Sequence, residues 1–169
     1  MLVADKKGKK QIMIAVMAAF VITIALFLLY FSSVFCMTKY DIPSDAKTPT
    51  MAYLDECSIQ YSSMMPKGYW NIRGWLYNKG QDISTVQVYV ILQDLKDGTY
   101  YKIYNTQSLS RKDVTNWFHD GHNYDQSGFS AQIDSRWLIK GRKYKVGIIS
   151  IINNDAYFAE TNQTIERIK

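Results

Sequence analysis

Hydrophobic and polar positions divide this chain of 169 residues into two unlike parts. Between positions 11 and 37 no residue is charged, and Thr23, Ser32 and Ser33 are the only clearly polar members of the run IMIAVMAAFVITIALFLLYFSSVFCM. At about 1.5 Å per residue, a helix of that length exceeds the roughly 30 Å hydrocarbon core of a bilayer. Hydroxyls within such a helix can bond back to its own carbonyls, so they are compatible with insertion. Beyond the run, residues 38–54 hold Pro43, Pro49 and small polar residues without apolar periodicity, which predicts a stalk. From 55 to 169 short alternating stretches are separated by turn residues, which predicts one domain.

Alternation predicts strands over 57–63, 69–77, 86–93, 100–106, 127–133, 143–152 and 156–161, the last extended by 164–168. In the second of these, Trp70, Ile72, Gly74 and Leu76 share one face and Trp75 and Tyr77 the other. In the third, Val86, Val88, Val90 and Leu92 form a core face opposite Gln87, Tyr89, Ile91 and Gln93. Lys96-Asp97-Gly98 predicts a tight hairpin turn, because Asp-Gly readily supplies the positive φ such turns need. Tyr144, Val146, Ile148 and Ile152 share a face of the long strand over 143–152. Only 111–118 and 135–139 look helical. About seven short strands at hairpin spacing predict an all-β domain, an immunoglobulin-like antiparallel β-sandwich preceded by one N-terminal transmembrane helix.

Charge sets the expected orientation. Lys6, Lys7, Lys9 and Lys10 precede the apolar run against a single Asp5, so residues 1–10 form a basic tail expected on the cytoplasmic side. The domain is then extracytoplasmic, on a single-pass cell-membrane protein. A cleavable signal peptide would have a shorter apolar region ending at small residues, whereas bulky Phe35 precedes Cys36 here. Phe35 argues equally against a lipoprotein site at Cys36, and an uncleaved signal anchor over 11–37 is the expectation. The tail supplies three of the chain's five net positive charges, which leaves the domain with no electrostatic reason to bind nucleic acid. Cys36 and Cys57 leave three readings open: a disulfide between them, free thiols, or a lipidated Cys36. Two cysteines so placed build no zinc framework.

Candidate chemistry is sparse. Both histidines lie in His119-Asp120-Gly121-His122-Asn123-Tyr124-Asp125, which makes His119, His122 and Asp125 weak metal candidates beside the plainer reading of a solvated loop. There is no Gly-x-Ser-x-Gly elbow, and Cys57 lies far from both histidines. No catalytic residue and no cofactor is expected. The aromatic content is more suggestive, since sugar rings and protein partners both dock on such side chains. Trp75, Tyr77, Tyr89 and Tyr101 alternate away from the inferred core face and are the candidate ligand-binding patch. Asn162-Gln163-Thr164 matches an N-glycosylation sequon by pattern, and abundant Lys, Ile, Tyr and Asn fit an AT-rich bacterium, where that pattern need not mark a glycosylation site.

Four segments occur in a familiar order: Ile72-Arg73-Gly74-Trp75-Leu76, Arg111-Lys112-Asp113-Val114 with Phe118, Asp125-Gln126-Ser127-Gly128-Phe129, and Leu138-x-x-Gly141-x-x-Tyr144-x-Val146. This ordering, over about residues 69–150, resembles accessory β-sandwich modules attached to bacterial cell-envelope glycan (polysaccharide) biosynthesis proteins. The resemblance implies an immunoglobulin-like fold and an envelope-glycan context, and it implies no catalytic residues. Unlike in those proteins, no enzymatic domain is expected beside the module. The function expected is therefore non-catalytic: a membrane-anchored module that binds a cell-envelope glycan or docks onto a membrane-bound glycan-assembly protein. The alternative is a subunit or regulator of another membrane complex that makes contact through its transmembrane helix. A metal-dependent enzyme built on the 119–125 loop comes third.

Overall fold

An unbroken apolar run free of Pro and Gly favours one long helix, and the computed structural model, which describes residues 6–35 and 37–168, has α1 over Lys6–Phe35. Within it, the 23 residues of Gly8–Tyr30 have a mean hydropathy of 3.0, long and apolar enough to cross a membrane. The Thr23 hydroxyl donates to the Ala19 carbonyl at 2.9 Å, so this polar group is satisfied within the helix. The chain divides into two compact units, Met1–Val34 and Phe35–Lys169.

Among the described residues, the second unit has nine strands: β1 (Met37–Lys39), β2 (Met51–Gln60), β3 (Tyr69–Tyr77), β4 (Val86–Asp94), β5 (Tyr100–Ile103), β6 (Thr106–Leu109), β7 (Gly128–Asp134), β8 (Lys143–Ile152) and β9 (Asp155–Glu166). A short helix, α2 (Lys112–Phe118), joins β6 to β7, and a 3-10 turn (Ser135–Trp137) follows β7. The strands form two antiparallel sheets, β1-β5-β4-β8-β9 and β2-β3-β7-β6. Turn chemistry sets the hairpins. Gly98 takes φ 76° between β4 and β5. Asn153 and Asn154 both take positive φ in the two-residue turn that pairs Ile152 with Asp155.

Both sheets contribute to one core. Ile72, Leu76, Phe129 and Ile133 come from the four-stranded sheet, and Val90, Leu92, Tyr144, Val146 and Ile148 from the five-stranded one. Tyr144 is fully buried, and its hydroxyl accepts a hydrogen bond from the Ile139 backbone N–H at 3.2 Å, which satisfies its one polar atom. β3 and β2 approach closely at Gly74, where a Cβ would lie 2.1 Å from the Tyr53 carbonyl oxygen. The β2–β3 register shifts beside it, so that Asp55 bulges between Leu54 and Glu56.

The stretch expected as a stalk carries structure at both ends. Met37–Lys39 pairs with β5, Lys47 bridges to Tyr157, and β2 already begins at Met51. β2 also ends at Gln60, before the predicted 61–63, because its partner β3 begins at Tyr69 and Gln60 pairs there. The expected single strand over 100–106 is two, β5 and β6, which belong to different sheets. Cys36 lies outside the described residues, and with it the proposed pairing to Cys57. Cys57 itself is half-buried in β2, where burial and then the Glu56 charge push its thiol up to about 11.

Candidate functional site

Alternation along β3 puts Trp75 and Tyr77 on the face opposite Ile72 and Leu76, yet both are buried, at 3% exposure each. Their expected role as outward-facing rings is therefore corrected. The reason is α2 and the loop after it, which cover this face of the four-stranded sheet. Trp75 meets Trp117 edge-on at 6.4 Å and Phe118 at 6.2 Å, and Tyr77 packs 4.3 Å from Phe118 and 4.9 Å from Tyr124. Val114, buried, and Phe118 are four apart and so present one face of α2 to the sheet. The helix start is tied down by Arg111, whose guanidinium pairs with Asp113 at 2.7 Å and with Asp55 of the β2 bulge at 2.5 Å. His119 ends the helix in a left-handed conformation, φ 46°.

The exposed rings here are Trp117, at 70%, and Tyr53, at 56%. Trp117 stacks on Phe118 at 5.7 Å and 20°, and Tyr53 lies 6.0 Å from Trp75. Trp75 thus props two exposed aromatic rings into a shelf. Tyr89 and Tyr101 belong to the other sheet and do not join Trp75 and Tyr77 in one patch. Tyr101 packs against the core, 6.3 Å from Tyr144, so its outward placement is likewise corrected. Tyr89 is half-buried beneath the Lys102 ammonium, 4.4 Å from its ring centre, an ammonium that Tyr40 and Tyr104 also flank.

On the other side of α2 lies an open depression of about 700 Å³, lined by Asp82, Lys112, Asn116, His119, His122 and Asn123 among others. Asp125 also lines it, so the three metal candidates share one site. Its wall is a hydrogen-bonded loop rather than a loose one. Asp82 accepts from the Asn123 backbone N–H at 2.7 Å and lies 3.2 Å from His122 Nδ1. The Tyr124 hydroxyl donates to Asp120 at 2.7 Å and accepts from the Gly80 N–H at 2.9 Å. The Thr115 hydroxyl donates to Asp125 at 2.7 Å and accepts from the Tyr124 N–H at 2.9 Å. These bonds hold the Asp82 carboxyl below the usual range, chiefly through the Asn123 N–H, and the Asp120 carboxyl likewise through Tyr124. Among the described residues, no three His, Cys, Asp or Glu side chains converge as a metal shell.

The depression offers carboxylate and amide acceptors and amide and ammonium donors, and α2, which lines it, also carries the exposed Trp117 ring. That is chemistry suited to a hydroxyl-rich ligand held by hydrogen bonds and ring stacking. Tyr53, Asp82, Lys112 and Asn116 escaped the reading of the sequence. For Tyr53 a signal was present, its alternation with Ala52 and Leu54 directly before the 57–63 stretch. The chain shows no significant match to any protein family, any curated protein or any solved structure.

Proposed function

We propose that this protein is a membrane-anchored, non-catalytic module whose extracytoplasmic immunoglobulin-like β-sandwich binds a cell-envelope glycan at the aromatic shelf and the depression beside it. The fold reading rests on strand order and one side chain. The orders β2-β3-β7-β6 and β5-β4-β8-β9 correspond to the A-B-E-D and C′-C-F-G sheets of that fold, with β1 as an addition. Tyr144, near the start of the F-equivalent strand and bonded to a backbone N–H five residues upstream, matches its tyrosine corner. The apolar α1 supports the anchor, and the four lysines before the apolar run support an N-terminus inside and a domain outside.

The observation that carries the binding reading is the exposure of Trp117 and Tyr53 over a buried aromatic base. A ring 70% exposed on a short helix pinned at both ends is a rigid anchor that costs little conformational entropy to use. The adjoining carboxylates and amides give sugar hydroxyls their partners. Docking of the same shelf onto a glycan-assembly enzyme would use the same anchors. The test is binding of envelope glycan fractions to the full chain in nanodiscs. Trp117→Ala is expected to lose about tenfold or more in affinity, with an unchanged melting temperature. Equal affinity in the variant would refute the shelf as the site.

A further inference from the structure

The end of the domain remote from α2 carries the opposite chemistry. β3 begins there, β7 ends there, and β8 begins there, so the segment 61–68, the 3-10 turn and the chain after β9 come together. Between them lies a cleft of about 400 Å³ lined by Lys67, Ser135, Arg136, Lys140, Arg167 and Ile168. Four of the six are cationic and none is a carboxylate. Its frame is fixed by Ser135, which is buried, donates its hydroxyl to the Lys67 carbonyl at 3.1 Å and its N–H to the Gly68 carbonyl at 3.2 Å.

The cations are under-used. Arg136 spends Nε and Nη2 on the buried Asp134, which leaves Nη1 without a carboxylate. Among the described residues, Lys67, Lys140 and Arg167 have no carboxylate within ion-pair distance. Asp134 offsets the charge of Arg136, and the three remaining cations around the cleft repel one another, a cost that a multivalent anion removes. The segments that line the cleft also expose large apolar side chains: Tyr61 and Met64 (78%) before Lys67, and Trp137 and Ile139 between Arg136 and Lys140. Exposed apolar groups interleaved with Lys and Arg suit a ligand with a charged head and an apolar body.

We propose that this cleft binds the phosphate group of an amphiphile, with Lys67, Arg136, Lys140 and Arg167 on the phosphate and Tyr61, Met64, Trp137 and Ile139 against its apolar part. A volume of about 400 Å³ is in the range of small-ligand sites and accommodates a phosphate ester head. A guanidinium fork matches the oxygens of phosphate; Arg167 supplies one, and Arg136 adds the Nη1 that Asp134 leaves over. A soluble sugar phosphate shares the head chemistry but leaves the exposed apolar side chains of these segments without a partner.

The test uses the full chain in neutral maltoside micelles, with empty micelles as reference, titrated with hexyl phosphate, glycerol phosphate and hexyl glucoside. Saturable binding of hexyl phosphate is expected, about tenfold tighter than either of the other two and weakening with added salt. Lys140→Gln with Arg167→Gln is expected to lose about tenfold or more at an unchanged melting temperature. Should that pair fail to fold, the single variant Lys67→Gln carries the same expectation in the same direction. Equal binding of hexyl phosphate and hexyl glucoside, or a charge variant that binds like the wild type, overturns the phosphate site. Glycerol phosphate binding as tightly as hexyl phosphate overturns the amphiphile and leaves a soluble phosphate as the ligand.

Discussion

Two tryptophans 6.4 Å apart do different work. Trp117 presents its ring to solvent, whereas Trp75 is the base on which that ring and Tyr53 rest. Trp75→Ala is therefore expected to destabilise the domain by about 3–5 kcal/mol, since it empties a buried aromatic site, and a urea unfolding midpoint measures it. Any binding lost in that variant would follow from the lost fold, so Trp117 is the informative substitution for function. Asp97 shows how local bonding sets acid sensitivity. Its carboxyl is held down at about 2 by the Thr99 side chain and N–H and then by Arg142. Because the folded value lies below the ordinary carboxylate value of about 3.9, its contribution is complete above about pH 4 and fades as pH falls towards 2. The melting-temperature gap between wild type and Asp97→Asn should be full at pH 7 and should close near pH 2. A gap that persists at pH 2 would assign it to something other than this ionisation.

At the scale of elements, the closest backbone approach is between β2 and β3 at Gly74. A methyl group there would meet the Tyr53 carbonyl at 2.1 Å and the Phe129 ring at 2.9 Å. Gly74→Ala should cost about 1–3 kcal/mol through overpacking, read as a lower unfolding midpoint with an unchanged denaturant slope. β3 and β8 match the strands expected from alternation, and β4 differs by one residue, because core residues such as Val88, Val90 and Leu92, or Tyr144, Val146 and Ile148, recur at every second position. β1 was not legible, since three residues with only Met37 half-buried carry no period. β2 was read late and short because Asp55 bulges and breaks the alternation in mid-strand. The pattern also gave the correct face for Trp75 and Tyr77 but not their burial. Periodicity says which way a side chain points, and says nothing of a seven-residue helix that arrives later in the chain to cover it.

For the domain as a whole, the two ends of the strands differ in chemistry. Asp82 and Asp125 line the depression beside α2, and Lys67, Arg136, Lys140 and Arg167 gather at the far end, about nine strand residues away along β3. The modest net charge of the chain conceals this separation, which is why composition did not disclose it. A second consequence concerns the rim of the four-stranded sheet. β2 is an edge strand of ten residues, and a straight edge of that length is a template on which another copy could add a strand. The bulge at Asp55, whose carboxylate is paired with Arg111, interrupts that template in the middle with a kink, and Glu56 directly after it adds a carboxylate. The same feature that locks Arg111 and seats α2 is thus also the kind of interruption that guards an edge strand against pairing with another copy. Replacing both acids, Asp55→Asn with Glu56→Gln, should turn a dispersed protein into one that sediments as growing assemblies, and a variant that stays dispersed would leave the kink alone as the guard.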